Sequence, residues 1–518
     1  MRAKNACLIS HPKGERKYPA KREIGQVVDS YGGVVRVNWD AEAEVTSFGQ
    51  MAFFVEFLKT AGLFDRWVED CPLSYVSNNA SKTRDVLGTT MLSILAGHKR
   101  YSHVTSIRSD RVTPELLGMS KVVSEDSVRR ALKSIGAMDS DRWLKKHLAK
   151  CSEPLLQEPW ILDIDTTVKP LYGRQEGAVL GYNPHKPGRP SHVYHTYFAG
   201  NLRIILDVEV QPGNQIAALY AQPGLWSYID ALPKNSLPRF LRGDCAWGNE
   251  KVLCEAEKRG ISYLFKLKQS TNIKRLICRA FQRSDWVAAG QGWEGIEENI
   301  ILSGWSKSRR VIILRRLIKE QVVLADGAQA KQQQLAFIET EDATSKYEYA
   351  ILVTSMQDEI LTIAQHYRDR ADIENVFDEM KNQWSWGGFT TFDLARCKIM
   401  ARISALVFNW WSFFAGLAFP DRHAEAITTR PLLLHAVGRQ TRHAGQKRIT
   451  ITSSHAEHAS VRKVLSAASR FLNQIKQTAE QLTEFRRWQL ILSRIFVRFL
   501  RGRVLGAKPP SRICLALA

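Results

Sequence analysis

Residues 160–168 of the chain read Trp-Ile-Leu-Asp-Ile-Asp-Thr-Thr-Val, and this stretch decides the fold that the sequence predicts. Apolar Leu162 and Ile164 alternate with Asp163 and Asp165, which is the period of a β-strand with two different faces. Unpaired carboxylates are costly to bury, so two of them on one face of an apolar strand indicate a site. The stretch therefore predicts a core strand that carries acidic side chains with a chemical role.

The segments that follow this strand have the order of a known α/β architecture. Strands are predicted over residues 192–198, 202–210, 238–241 and 262–267, and helices over residues 214–232 and 250–259. A stretch rich in β-branched residues, about 268–354, precedes one further helix. Without that stretch the order is β-β-β-α-β-α-β-α, the element order of the ribonuclease H fold. We predict an α/β fold with a ribonuclease H-like core, in which helices flank a mixed sheet, and a β-rich insertion.

Shifts in composition divide the chain into four predicted regions, one of which is this core. They are a short basic N-terminal segment (residues 1–47), a helical DNA-binding domain (48–155), the catalytic core (156–420, with the β-rich insertion at about 268–354) and a basic helical C-terminal region for DNA binding or dimerisation (421–518). The apolar run at residues 399–418 contains Arg402 and Asn409. It therefore predicts a buried core helix and no membrane span.

The charge of the chain favours a nucleic-acid partner. The formal net charge is +21 and the sequence pI is about 9.6, which is typical of proteins that bind polyanions. Between Glu425 and Ala518 there are 17 Lys and Arg against 4 Asp and Glu, a balance of +13. The eight cysteines form no Cys-x-x-Cys pair. That spacing argues against a zinc ribbon or a disulfide framework and is typical of a cytoplasmic protein.

Four polar residues near the end of the predicted core share one helix face. Tyr367, Arg370, Glu374 and Lys381 are spaced by 3, 4 and 7 residues, so on a single helix they project within a stripe roughly 60° wide. A carboxylate flanked by a phenol, a guanidinium and an ammonium suits a phosphodiester and a metal ion. The alternative is a solvated stripe in which Arg370 and Glu374 make an ordinary i,i+4 pair.

Three acidic residues are predicted to converge at one edge of the sheet. Asp165 lies on the first strand, Asp244 follows the fourth, and Glu374 lies on the last helix. Two aspartates and a glutamate can hold two divalent ions, and their hard oxygen ligands suit Mg²⁺. Asp163 points to the same strand face as Asp165 and is an alternative first ligand.

The motifs around these acids resemble those of a known enzyme family. Tyr367-x2-Arg370-x3-Glu374-x6-Lys381 resembles the Tyr-Arg-Glu-Lys signature of DDE transposases in the insertion-sequence-4-like group. Residues 162–167 resemble the first-aspartate motif of that group, which favours Asp165 over Asp163, and residues 242–244 resemble the second-aspartate motif. Residues 181–192 are similar to a hallmark of the insertion-sequence-1380 family. The resemblance runs from about residue 48 to about residue 414.

The resemblance implies cut-and-paste DNA transposition. In such enzymes water and then a freed 3′-hydroxyl attack phosphodiesters at the terminal inverted repeats, and the 3′ ends are joined to target DNA. Asp165, Asp244 and Glu374 would bind two Mg²⁺ ions, with Mn²⁺ as a substitute, and Tyr367, Arg370 and Lys381 would hold phosphates. The implied partner is DNA, bound by a homodimer in a synaptic complex, in the cytoplasm of a bacterium at the nucleoid.

Further residues are candidates for DNA contacts. Lys186 and Arg189 lie in a Pro/Gly-rich loop after the first strand, and the alternative is a rigid exposed turn. Arg129 and Arg130 lie on a helix that Ser124 can cap, either as part of a helix-turn-helix reader or as a plain surface helix. Some relatives stack a flipped base on a tryptophan of the insertion. The candidates here are Trp293 and Trp305, and the alternative is that both are core aromatics.

Two other functions are compatible with the same residues. A metal-dependent nuclease on this fold would cut DNA without joining ends. A non-catalytic regulator derived from a transposase would only bind DNA. The complete acidic triad with its basic stripe favours an active transposase over the regulator.

Overall fold

A computed structural model describes residues 26–40, 42–75, 79–184, 186–318, 346–420, 423–452, 457–478 and 481–507. The chain divides into two compact units, residues 1–44 and residues 45–518. In the first unit β1 (Gln26–Ser30) and β2 (Gly33–Val37) form an antiparallel hairpin. Residues 1–25 of the predicted N-terminal segment and residues 319–345 of the predicted insertion lie outside the described residues.

The second unit contains the remaining elements. Its described helices are α1 (Met51–Thr60), α2 (Phe64–Glu69), α3 (Thr83–Leu95), α4 (Val112–Leu116), α5 (Glu125–Ser134), α6 (Ala137–Ser152), α7 (Ala218–Asp230), α8 (Glu250–Lys258), α9 (Thr271–Phe281), α10 (Ile360–Arg368), α11 (Ala371–Asn382), α12 (Leu394–Ala418), α13 (Ala426–Leu433), α14 (His458–Lys476) and α15 (Glu484–Ile495). Its described strands are β3 (Val45–Thr46), β4 (Ile161–Pro170), β5 (Ser191–Ala199), β6 (Ile204–Pro212), β7 (Phe240–Gly243), β8 (Ser262–Lys266), β9 (Val287–Gly290), β10 (Trp293–Ile300), β11 (Arg309–Leu317), β12 (Tyr347–Thr354), β13 (Gly438–His443) and β14 (Gln446–Ile451).

The main sheet confirms the predicted fold class. Its strand order is β6-β5-β4-β7-β8-β12-β11-β10-β9. β4, β5 and β6 pair antiparallel, whereas β4, β7 and β8 pair parallel. Numbered along the core alone, the first five strands have the order 3-2-1-4-5 of a ribonuclease H-like sheet. β5 is buried along its whole length, because helices cover both faces of the sheet.

The predicted insertion extends the core sheet. β12 pairs antiparallel with β8, and β11, β10 and β9 follow in turn. The insertion begins with helix α9, which was not among the predicted elements. Its buried residues Ile273, Leu276, Ile277 and Ala280 have helical spacing. The β-branched composition of the surrounding stretch obscured that period.

Helix α12 is the buried core helix predicted from the apolar run. Most of its residues are buried, and its N-cap Asp393 accepts a hydrogen bond from Arg396 N at 2.9 Å. Inside the protein, Arg402 pairs with Asp207 at 2.7 Å and with Asp141 at 2.5 Å, so the charge within the apolar run is neutralised. Among the described residues, no helix is long and apolar enough to cross a membrane.

The C-terminal region differs from its prediction as a wholly helical segment. Helices α13, α14 and α15 are present, but β13 and β14 form an antiparallel hairpin between α13 and α14. The strands of this hairpin are mainly polar, so the alternation of apolar and polar residues that predicts a strand is absent from most of their length.

Candidate active site

Strand pairing places Asp165 and Asp244 at the same edge of the core sheet. The parallel ladder of β4 and β7 runs from the Ile161–Phe240 pair to the Ile164–Gly243 pair. Asp165 is the next residue of β4 and Asp244 directly follows the last residue of β7, so the main chain brings them side by side. β7 ends there, and the chain turns toward α8.

Helix α11 brings Glu374 to these aspartates through Arg370. The helix packs against β4, and Arg370 is the residue immediately before its first turn. Arg370 Nη1 donates to Asp165 Oδ2 at 2.5 Å, and Arg370 Nη2 donates to Glu374 Oε1 at 2.8 Å. A single guanidinium therefore spans two of the three predicted acids. The Glu374 side chain is 61% exposed and the Asp165 side chain only 13%, so the site opens to solvent on the side of α11.

The charges at this edge act on one another. Burial raises the pKa of Asp165 to about 6; the Arg370 guanidinium opposes the rise, and the neighbouring Asp244 adds to it. Burial tends to lower the pKa of Arg370, but the negative charges around it, led by Asp165, raise the pKa overall. The Asp244 charge acts on Asp165, Arg370 and Tyr367 alike, which places all four groups within one electrostatic neighbourhood.

The four residues of the predicted stripe do not lie on one helix. Tyr367 is on α10, Arg370 lies between the helices, and Glu374 and Lys381 are on α11. α10 ends at Arg368 and α11 begins at Ala371. Between them Arg370 N donates to Tyr367 O, and Ile373 N donates to Arg370 O, each at 3.1 Å. These three-residue spacings tighten the backbone into a 3₁₀ turn. The prediction of one continuous helix is therefore wrong.

The phenol and the ammonium of the stripe are both partly buried. The Tyr367 ring centroid lies 5.9 Å from Arg370 Cζ, and burial raises the pKa of Tyr367 to about 12. The phenol therefore remains a hydrogen-bond donor at ordinary pH. Lys381 lies about two turns beyond Glu374 on α11, and burial lowers the pKa of its ammonium.

Asp163, the alternative first ligand, is held inside the protein. Its carboxylate accepts hydrogen bonds from Arg242 Nε at 2.5 Å and from Arg242 Nη2 at 2.6 Å. Arg242 also donates to the main-chain oxygen of His366. The Asp163 and Arg242 side chains are 0% and 2% exposed, so both oxygens of Asp163 are engaged away from solvent.

Comparisons with known proteins show which family the chain belongs to. The family model described as "Transposase DDE domain group 1" matches residues 34–473. The chain belongs to this family. No curated protein matches the chain. A solved structure of piggyBac transposase, in a synaptic complex with hairpin DNA, is 10% identical to it, with 90% of this chain and 87% of that chain covered and a TM-score of 0.38. A likeness at this TM-score says nothing further about the site.

DDE transposases generally depend on divalent metal ions, and the acidic edge of the sheet is the candidate site for them in this chain. Among the described residues, no three carboxylate, imidazole or thiol side chains are close enough to hold a metal ion. At this edge the Arg370 guanidinium binds both Asp165 and Glu374. The oxygen donors themselves are of the kind that Mg²⁺ prefers. The kind of donor at this edge therefore fits a divalent ion, and the Arg370 guanidinium takes the place of a cation beside two of the carboxylates.

The other basic residues predicted for this transposase lie on two exposed segments. Lys186 and Arg189 lie in the loop between β4 and β5, with Lys186 Nζ 5.1 Å and Arg189 Cζ 4.9 Å from the Tyr172 ring centroid. Arg129 and Arg130 are exposed on α5. The predicted cap of α5 is confirmed, since the Ser124 side chain accepts a hydrogen bond from Ser127 N at 3.3 Å.

The two base-stacking candidates are each half-buried with a cation over the ring. Arg316 Cζ lies 4.8 Å from the Trp293 ring centroid, and Arg309 Cζ lies 5.1 Å from that of Trp305. Both rings also pack against the hydrophobic core. A flipped base would therefore need to displace an arginine from either ring.

Two exposed features were not predicted from the sequence. Tyr172, which is 67% exposed, lies between the cations of the β4–β5 loop. A lone tyrosine fourteen residues before Lys186 gives no local signal of that contact. The basic β13–β14 hairpin was also missed, although its Ala444-Gly445 turn is flanked by arginine and lysine residues that signal an exposed segment.

Proposed function

We propose that the chain is a cut-and-paste DNA transposase of the insertion-sequence-4-like group, closest to the insertion-sequence-1380 family. It would cleave DNA at the terminal inverted repeats of its own element and join the 3′ ends to target DNA. The observation that carries the proposal is the Arg370 guanidinium, which binds Asp165 and Glu374 at the sheet edge where Asp244 also lies. A phosphodiester-cleaving site that uses divalent ions needs such a concentration of acidic ligands.

In this proposal Asp165, Asp244 and Glu374 hold two Mg²⁺ ions, with Mn²⁺ as a substitute. Held by these three carboxylates, such ions would supply activation of the attacking oxygen and charge stabilisation at the leaving oxygen. Release of the two carboxylates frees Arg370 to donate to a DNA phosphate in a bidentate manner. Its position before the first turn of α11 aims it at the same edge of the sheet.

Tyr367 and Lys381 would hold the phosphates that flank the cleaved bond. Tyr367 would donate from its phenol, whose pKa burial raises to about 12, and Lys381 from its ammonium. Lys186 and Arg189 in the β4–β5 loop would contact the DNA backbone. We assign the first metal ligand to Asp165, because Arg242 already occupies both oxygens of Asp163.

Three other contacts belong to the proposal. Arg129 and Arg130 on α5 would bind DNA in the helical N-terminal region. Trp293 or Trp305 would stack a flipped base only after the arginine over its ring moves away. Two element ends must be brought together for transposition, so the active assembly is proposed to be a homodimer on paired ends.

The test is a cleavage and joining assay with the purified full chain. Its substrates are DNA carrying the gene's own flanking ends and a target plasmid, with Mg²⁺ or with EDTA. We expect metal-dependent cleavage followed by joining of the 3′ ends. Glu374→Gln should bind the ends but cut at least about 100-fold more slowly, because it removes a charged metal ligand.

Asp378→Asn is the matched control, since Asp378 lies on the same helix and is exposed, with Asn382 as its hydrogen-bond partner. It should cut and join at the wild-type rate. Cutting without joining would indicate the nuclease in place of the transposase. Binding with neither reaction would indicate the non-catalytic regulator.

A further inference from the structure

The β13–β14 hairpin is a short antiparallel ribbon closed by a tight turn. Its pairs run from Gly438–Ile451 at the base to His443–Gln446 at the tip. Ala444 and Gly445 form the turn with φ values of 49° and 75°. Two successive left-handed residues are typical of a type I′ turn, which matches the twist of the two strands. The ribbon is therefore well defined up to its tip.

One face of the hairpin anchors it to the helical region. Glu115 of α4 accepts hydrogen bonds from Gln440 Nε2 at 2.6 Å and Arg442 Nη2 at 3.2 Å, and its Oε1 lies 2.6 Å from Lys447 Nζ. Three neighbouring side chains of this inner face thus meet one carboxylate. At the base, Gly438 of β13 pairs with Thr46 of β3. The hairpin is therefore held in one orientation, with its opposite face turned outward.

The outer face has a different composition. Alternation along the two strands places six residues on it, and all six are exposed: Arg439, Thr441, His443, Gln446, Arg448 and Thr450. The face contains two permanent cations and four hydrogen-bonding side chains, with no carboxylate and no large apolar group. Such a face is too polar to pack on another protein core. Its charge is complementary to a polyanion.

The size of the ribbon points to duplex DNA. A B-DNA major groove is about 12 Å wide and admits a two-stranded β-ribbon. Arginine pairs with the edge of guanine, glutamine with that of adenine, and threonine contacts the thymine methyl group. The outer face thus combines side chains that read bases with cations that hold phosphates.

We propose that the outer face of the β13–β14 hairpin reads the terminal-repeat DNA of the element in its major groove. The inference rests on the proposed transposase function, because that function supplies the terminal repeats. It adds a sequence-reading surface in the C-terminal region, separate from the acidic site. Arg439 and Arg448 are its principal contacts, and Glu115 is a positioning residue that holds the inner face.

The test measures binding of the full-length double variant Arg439→Gln/Arg448→Gln to two duplexes in EDTA, without catalysis. One duplex carries the terminal repeat, and the other carries the same bases in scrambled order. Affinity for the terminal repeat should fall at least about 30-fold, and preference over the scrambled duplex should be largely lost. The slope of log affinity against log salt should also fall by about 1 to 2 if both arginines approach phosphates as well as bases.

Lys258→Gln/Arg279→Gln is the matched control, with the same loss of charge at two side chains that are each 69% exposed. It should leave the preference for the terminal repeat unchanged. An equal loss of affinity for both duplexes in the hairpin variant, or no loss at all, would overturn the proposal. A thermal melt of each variant verifies that the fold is intact.

The same experiment separates this inference from the proposed function. A wild-type protein that prefers the terminal repeat, together with a hairpin variant that keeps the preference, would refute only the assignment to the hairpin. A wild-type protein with no preference for the terminal repeat over the scrambled duplex would contradict the proposed function, and with it the inference.

Discussion

Strand β4 carries two aspartates that are two residues apart, and each pairs with an arginine from another element. The surroundings of the two pairs differ. Asp163 and Arg242 are at most 2% exposed and share two short hydrogen bonds. Asp165 and Arg370 are 13% and 14% exposed, and Arg370 also binds Glu374, which is 61% exposed. The same two residue types thus make a closed pair inside the protein and an open pair at the edge of the sheet.

The difference shows what makes an ion pair available for chemistry. Arg242 reaches Asp163 from the neighbouring strand β7, and Gly200 leaves room for the pair, since a Cβ there would lie 2.2 Å from Asp163 Oδ2. A buried pair cannot exchange its partner without leaving a charge uncompensated. An open pair can, because water or a metal ion can replace the partner that leaves. The open pair is therefore the one suited to a metal site.

Breaking the closed pair should have the largest effect on stability. In Asp163→Asn the Arg242 guanidinium remains buried without its carboxylate. Loss of one partner of a buried pair costs about 3–5 kcal/mol, so the free energy of unfolding should fall by that amount. Urea denaturation of the variant and the wild type measures the difference.

A double variant provides the control for this prediction. Asp163→Asn/Arg242→Met removes both charges, so it should be more stable than Asp163→Asn alone, although the His366 carbonyl loses its donor. If the free energy of unfolding of Asp163→Asn lay within about 1 kcal/mol of the wild-type value, the Asp163–Arg242 pair would be exposed to solvent in solution.

A third charge on β4 extends the comparison. Lys169 is 6% exposed, and its Nζ donates to the main-chain oxygen of Gly388 at 2.5 Å. Burial lowers the pKa of this ammonium from 10.5 to about 8. This lowering of the pKa means that the charged Lys169 ammonium disfavours folding by about 3 kcal/mol. Lys169→Met should therefore stabilise the protein at pH 7 by about 2 kcal/mol, after about 1 kcal/mol is subtracted for the lost hydrogen bond.

The pH dependence gives the sign of this prediction a separate check. The unfolded chain keeps the Lys169 proton up to about pH 10.5, whereas the folded chain releases it above about pH 8. The opposition to folding is therefore complete below pH 8 and fades as the pH rises toward 10.5. Urea denaturation should show that Lys169→Met exceeds the wild type in free energy of unfolding by less at pH 10 than at pH 7. An advantage that stays constant would mean that folding does not lower the pKa of Lys169.

Strand β4, the element order and the adjacency of Asp165 and Asp244 could be predicted from the sequence, because each depends on local alternation and on chain order. The partner of Asp163 could not, since Arg242 reaches it only through the pairing of β4 with β7. The break between α10 and α11 was also not predicted, because over a single 3₁₀ turn each side chain is rotated by only about 20° more than in an α-helix. The roles of the acidic residues are still predictions, and cleavage assays must test them.

Breaking the open pair should have the smallest effect on stability. In Asp165→Asn the Arg370 guanidinium keeps Glu374 as a partner, and the amide oxygen still accepts the hydrogen bond from Thr166 N, which is 2.7 Å from Asp165 Oδ1. The free energy of unfolding should therefore fall by no more than about 1 kcal/mol, because the change also removes a buried charge, and burial raises the pKa of Asp165 to about 6. The proposed metal ligand is nevertheless gone. Urea denaturation beside Asp163→Asn measures the contrast between two changes of the same chemistry, two residues apart. A loss as large as that of Asp163→Asn would mean that Asp165 is part of the structural core, and the distinction between a closed pair and an open one would fail.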